Sequence, residues 1–164
     1  MSFLDVDAGV DDALAIILVL RSPELRVEAI TTVAGNANVT RCTRNVHLVI
    51  QELQLPVPTK IAQGSTRPLS RPLVTAQEVH GRDGLGNVTS RNRTPGQPVA
   101  RDRAVDVILN VAREYPHKVT LIATGPLTKV ARAFQKSKKH FALIRELIIM
   151  GVVFYAKGKY WSGS

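Results

Sequence analysis

The sequence predicts an α/β fold, an open and mostly parallel sheet with helices on both faces. Short β-branched or apolar runs alternate with segments of helical apolar spacing along the chain, the pattern of successive strand–helix–strand units. The strand candidates read as nearly continuous apolar runs, as expected of strands covered on both faces. The length of 164 residues, with 45% hydrophobic and 21% charged residues, suits one ordinary globular domain with one sizeable core.

Residues 2–6 read as a short buried strand and 11–21 as a helix. Positions 13–20 within that helix are almost continuously apolar, so it is predicted to be buried nearly all round. The β-branched run 26–33 is a second strand. Segment 39–53 carries Val46, Leu48, Val49, Ile50 and Leu53 at helical spacing, and 58–62 is a third, shorter strand. The stretch 63–99, rich in Gly, Pro and Arg, is too long for an ordinary connector, and 63–101 is read as a long loop region on the active-site side. Helix 104–115, strand 118–123, helix 127–135 and strand 147–153 complete the alternation. Ligands in such sheets bind beyond the carboxyl ends of the strands. That rule brings together the acidic loop after the first strand, Gly35-Asn36, Thr124-Gly125-Pro126 and Met150-Gly151, with Met150 itself predicted to be core.

The acidic loop is the densest chemical signal. Asp5, Asp7, Asp11 and Asp12 fall in one short stretch beside Gly9, in a chain of net charge +9. Asp5 and Asp7 lie on one face of a strand, and Asp11 and Asp12 sit where a helix N-terminus favours negative charge. Together they form a hard, all-oxygen pocket suited to Ca²⁺ or Mg²⁺ rather than zinc. The same residues also permit a plainer arrangement, with Asp11 as helix N-cap, Asp12 in the first turn and Asp5 ending a surface strand. Asp83 reads as a loop residue, and Thr124-Gly125 before a helix doubles as a cap.

Other classes are disfavoured. Aromatic residues make up 5% of the chain, too few for a base-stacking platform. The basic stretches are read as an exposed loop (Arg82, Arg91, Arg93, Arg101, Arg103) and as the outer face and C-terminus of a helix (Lys129, Arg132, Lys136, Lys138, Lys139), so no nucleic-acid partner is expected. No Gly-x-Gly-x-x-Gly or Walker A pattern is present, which disfavours a dinucleotide or nucleoside triphosphate site. No Gly-rich phosphate cradle supports phosphorolysis. Cys42 is the single cysteine, and neither a signal peptide nor an apolar run of transmembrane length is present. A cytoplasmic protein without a membrane partner is the expectation, and the sequons at Asn38, Asn87 and Asn92 are chance matches.

Five segments in order resemble the N-terminal half of the inosine–uridine-preferring nucleoside hydrolases. They are Asp5-Val-Asp7-Ala-Gly9-Val-Asp11-Asp12, Thr31-Thr-Val-Ala-Gly35-Asn36, His80-Gly-Arg-Asp-Gly84-Leu-Gly86, Ala123-Thr124-Gly-Pro-Leu-Thr128 and Ile148-Ile-Met150-Gly151. The resemblance implies a Rossmann-like fold that is incomplete here, with 1–164 as a single, partial domain. It implies Ca²⁺-dependent hydrolysis of the N-glycosidic bond of a ribonucleoside such as inosine or uridine, giving ribose and free base. Asp7 then resembles a general base that activates a metal-bound water and also ligates Ca²⁺. By the same resemblance Asp12 is a carboxylate ligand, and Thr124 lends the metal a backbone carbonyl. Asp11 and Asn36 contact ribose hydroxyls, and His80 lines the site. Asp5 supports the loop, and homo-oligomers are conceivable.

The chain also departs from that pattern. Val152 follows Met150-Gly151 where the family has a further Gly, and Lys129 stands where it has Asn. The family runs to about twice this length, its second half supplying a further Asp ligand. A C-terminally truncated chain is therefore expected to be weak or inactive alone and to expose sheet edge and apolar surface. The alternative reading is a non-catalytic remnant that binds ribonucleosides or another protein.

Overall fold

The computed structural model describes residues 1–56, 58–88 and 103–151. The strands are β1 (Ser2–Val6), β2 (Val27–Thr32), β3 (Lys60–Gln63), β4 (Thr120–Ala123) and β5 (Glu146–Ile149). The helices are α1 (Val10–Arg21), α2 (Val39–Leu53), α3 (Gln77–His80), α4 (Ala104–Glu114), α5 (Thr128–Lys136) and α6 (Lys138–Phe141). The five strands pair in parallel in the order β3-β2-β1-β4-β5. The predicted α/β class is the observed one.

The pleat divides the core in two. Leu4 and Val6 of β1 and Ile30 of β2 face one side, where they pack with Ile16 of α1 and with Cys42, Val46 and Ile50 of α2. Phe3 of β1 and Leu121 of β4 face the other side, against Val107, Ile108 and Val111 of α4 and Val130 and Ala133 of α5. The period of two in the strands and the helical spacing in α2 and α4 thus sort side chains to opposite faces of one sheet.

Several expectations need correction. Helix α1 begins at Val10 with Gly9 as N-cap rather than Asp11, because Asp12 turns back to accept the Gly9 amide. Nor is α1 buried all round: Ile16 is fully buried, whereas Leu14 and Leu18 are 66% and 68% exposed. Helix α1 packs Ile16 onto the sheet and contacts α2, and the side that carries Leu14 and Leu18 meets solvent. Strand β3 starts later than predicted, and the short helices α3 and α6 were not anticipated; both are single turns with too few residues for a periodic signal. Met150 is 54% exposed, not core, because β5 is the edge of the sheet among the described residues. Asp5 lies fully buried inside the sheet rather than at a surface end.

Lys129 departs furthest from expectation. The sequence places it on an outer helix face, but it is fully buried in the first turn of α5, with its ammonium on the Asp5 carboxylate. Arg82 and Arg103 are exposed as expected, while Arg91, Arg93, Arg101 and Asn92 lie outside the described residues. Asn38 of the first sequon caps α2, accepting the Arg41 amide at 2.9 Å. No helix among the described residues is long and apolar enough to cross a membrane.

The exposure pattern of α1 leads to a direct test. Ile16→Ala should lower stability by about 2–5 kcal/mol, the cost of emptying a buried aliphatic site. Leu18→Ala, two residues away, should change it by less than about 0.5 kcal/mol. Chemical denaturation of the two variants checks the difference.

Candidate active site

The chain leaves β1 for β2 on one side and leaves β4 for β5 on the other. The strand order therefore reverses between β1 and β4, and a crevice opens at their carboxyl ends. Asp7, immediately after β1, and Thr124, immediately after β4, stand at its two lips. The β2 end contributes Gly35-Asn36, and the Met150 amide donates to the Ala123 carbonyl at 2.9 Å. The four loop features expected at one sheet end are found there.

Asp7 is 6% exposed and Asp12 2%. The Asp7 Oδ2 accepts the Asn36 amide at 2.8 Å. A β-carbon on Gly35 would collide with the same carboxylate, so only glycine lets the β2–α2 loop approach this closely. Asp12 accepts the Gly9 amide at 2.9 Å on Oδ2 and the Thr124 hydroxyl at 2.5 Å on Oδ1. The two carboxyls also touch each other. Burial first, and then the charge of Asp12, pushes the Asp7 carboxyl up to about 7 from its ordinary 3.8. Burial likewise raises Asp12, opposed by its bonds from Thr124 and Gly9. Two adjacent buried carboxyls cannot both hold full charge cheaply, so near neutral pH the pair retains a proton.

Asp11, Asn36 and His80 converge around Gly9. A β-carbon there would lie 2.6 Å from Asn36 Nδ2, 2.8 Å from Asp11 Oδ1 and 2.9 Å from His80 Cε1. His80 Nδ1 accepts the Val10 amide at 3.3 Å and stands 3.9 Å from Asp11 Oδ1. With Nδ1 an acceptor, the neutral ring carries its proton on Nε2. The predicted residues thus fall into two groups, Asp7, Asp12 and Thr124 in one and Asp11, Asn36 and His80 in the other, joined through the Asp7-to-Asp12 loop. Asp83 is the turn residue expected, accepting the Leu85 and Asn87 amides at 2.8 Å each.

The frame roles of three residues, Asn45, Cys42 and Lys129, escape the sequence reading. Ala8 adopts φ +37, a left-handed conformation that costs about 1 kcal/mol for a non-glycine residue. Its carbonyl is held by Asn45 Nδ2 at 3.2 Å, and the same amide group donates to the Asp83 carbonyl at 2.9 Å. Asn45 therefore ties the strained acidic loop to the turn after His80. The signal was a polar residue within the buried stripe of α2, between Cys42 and Val46. Cys42 donates its thiol to the Asp7 carbonyl at 2.8 Å, and burial pushes that thiol up to about 12, so it is an inert structural donor. Lys129 is the third.

The donor set fits a hard divalent cation in its chemistry. Two buried carboxylates and a threonine supply oxygen, and the mutual repulsion of the carboxylates is what such a cation would neutralise. Among the described residues, no three His, Cys, Asp or Glu side chains converge in metal-binding geometry. A cavity of about 620 Å³ beside the end of β3 is lined by Gln63, Ser65, Arg103 and Arg132 and contains none of the six site residues named above.

Comparison with known proteins identifies a family. The family model for inosine-uridine preferring nucleoside hydrolases matches residues 2–161. Uridine nucleosidase 1 of Arabidopsis thaliana is 34% identical over 157 residues, covering 94% of this chain and 46% of that protein. The pyrimidine-specific ribonucleoside hydrolase RihA of Salmonella arizonae is 40% identical over 149 residues, covering 90% and 47%. Among solved structures, a purine-preferring ribonucleoside hydrolase from Gardnerella vaginalis superposes with a TM-score of 0.86 at 28% identity, covering 93% of this chain and 48% of that one. The chain spans about half the length of the curated relatives it matches. With its parallel sheet, its paired carboxylates at the strand-order reversal and a family match along nearly all its length, this chain belongs to the inosine-uridine preferring nucleoside hydrolase family.

Proposed function

We propose that this chain carries the acidic half of a ribonucleoside N-glycosidic hydrolysis site, with Asp7 as general base. The observation that carries the reading is the Asp7 carboxyl itself, buried against Asp12, oriented by the Asn36 amide and shifted to about 7. In the metal-free chain burial and the Asp12 charge make this carboxyl hold a proton readily, as a base must, and a bound cation would lower that tendency. In the proposed reaction a water oxygen bonds to the ribose anomeric carbon while the carbon–nitrogen bond breaks. The bonding pair leaves with the base, and the proton lost by the water passes to Asp7. Asp11 and Asn36 bind ribose hydroxyls beside Gly9, and His80 closes that side of the pocket.

Asp7, Asp12 and Thr124 would hold a Ca²⁺ ion. When bound, it supplies a positive charge that acidifies a water and grips the vicinal hydroxyls of ribose. With two carboxylates among the described residues, affinity is expected to be weak, because it tracks ligand charge and number. Turnover by this chain alone is accordingly slow. The buried free thiol of Cys42 supports action in a reducing compartment, the cytoplasm. The exposed β5 edge leaves room for self-association. The two-carboxylate set also favours a second reading, a non-catalytic ribonucleoside binder.

Base release from inosine and uridine separates these readings. Slow release that needs Ca²⁺, stops with chelator and falls by about 10²–10⁴ in Asp7→Ala supports hydrolysis. A folded chain that binds nucleoside but releases no base supports the second reading. Gly35→Ala should reduce release at least about tenfold, since the new methyl displaces the Asp7 carboxylate. Thermal melting supplies an independent check. The folded Asp7 carboxyl is raised, so the native state holds a proton that the unfolded chain releases above 3.8. The stability this contributes is present in acid and lost as pH rises through about 7. The metal-free chain should lose several degrees of melting temperature from this pair between about pH 5 and pH 8, and Ca²⁺ should restore more at the higher pH.

A further inference from the structure

Lys129 and Asp5 form a fully buried ion pair directly beneath the site, and nothing in the reaction proposed above uses it. Each is 0% exposed. Lys129 enters from the first turn of α5, and its stem packs so tightly over Gly64 that a β-carbon there would strike it. Its ammonium reaches Asp5 Oδ1, the oxygen that also accepts the Thr31 hydroxyl at 2.6 Å. The backbone carbonyl of Asp5 accepts the amides of Thr124 at 2.9 Å and Gly125 at 3.2 Å. A closed ring results, from Asp5 to the Thr124–Gly125 turn, into α5 and back through Lys129.

The ammonium has three donors, and the carboxylate it pairs with is Asp5. The next buried carboxylate along the chain is Asp7, two residues on, whose Oδ1 lies beside Gly125 in the same ring. A buried cation that loses its partner turns to the next available anion, because an unpaired buried charge is the costliest arrangement. Capture of Asp7 by Lys129 would consume the carboxylate that the site needs as base and ligand.

We infer that Asp5 is a positioning residue that sequesters the Lys129 ammonium, keeping Asp7 free to face the crevice. Lys129 in turn ties α5 to β1 and so sets the Thr124 turn opposite Asp12. The inference concerns the arrangement of these groups; its cation-binding consequence rests on the function proposed above.

The test compares the wild-type chain with Asp5→Asn, Lys129→Met and the double variant. Two readouts are used, the amide NMR resonances of Asn36, Thr124 and Gly125 in the metal-free proteins and Ca²⁺ affinity by calorimetry. Asp5→Asn should shift the Asn36 amide, whose acceptor is Asp7, and weaken Ca²⁺ binding at least about tenfold. Adding Lys129→Met should return the amide towards its wild-type position and recover affinity to within about threefold, since no stray cation remains. Rescue of this kind marks charge sequestration, because a packing role makes the double variant no better than the single. If Asp5→Asn unfolds the chain while the double variant folds with wild-type site amides, the inference also stands. It is overturned if the double variant is unfolded, if its losses are those of the two singles added, or if the Asn36 amide does not move in a folded Asp5→Asn chain. A wild-type chain that binds no Ca²⁺ yet shows the amide shift and its rescue would refute the cation site and leave the positioning role intact.

Discussion

Two carboxyl groups, Asp7 and Asp12, are buried in contact with one another at the end of the first strand, and much of the surrounding structure follows from the cost of holding them there. Each buried oxygen must receive a hydrogen bond or share a proton. The Asn36 and Gly9 amides and the Thr124 hydroxyl meet that need. The Asn36 amide can do so only because Gly35 lets the loop come close. The strained Ala8 between the two carboxylates is held by Asn45 from helix α2. Strain of this kind persists where neighbouring structure over-determines the conformation.

The reversal of strand order supplies the place for this arrangement. Because β4 pairs beside β1, residues more than a hundred positions apart in sequence share one crevice, and Thr124 bonds Asp12 directly. The same pairing admits the first turn of α5 beneath the site and with it Lys129. A buried lysine is tolerable only opposite a buried carboxylate, which gives the fully buried Asp5 a function in the frame. The layers of the site are thus an acidic pair above and a neutral ion pair below.

Stability and chemistry are drawn from different parts of the fold. The inward faces of β1, β2 and β4 with α2 and α4 form the two core clusters. By contrast, β5 and the outer side of α1 expose apolar groups among the described residues. The carboxylate pair itself is buried at the end of β1, a central strand of the sheet. That placement suits a site whose groups must stay fixed while carrying unfavourable charge.

By itself the sequence determined the α/β alternation, the boundaries of β1 and α2 and the acidic, Gly-Asn and Thr-Gly loops. These signals are local: strand and helix periodicity, a glycine where backbone must approach, carboxylates clustered beyond what a surface needs. Their convergence was legible too, because parallel sheets collect loops at one end. Tertiary structure alone decided the rest. The apolar run of α1 reads as buried on all sides, yet Ile16 is buried while Leu14 and Leu18 are exposed. Lys129 reads as one of a row of surface cations, yet α5 turns it inward onto Asp5. Asn45 reads as an interruption in an apolar stripe, yet it binds two loops from distant parts of the chain. In each case the outcome depends on which groups lie across the interface, and no local pattern encodes the partner of a buried charge or amide.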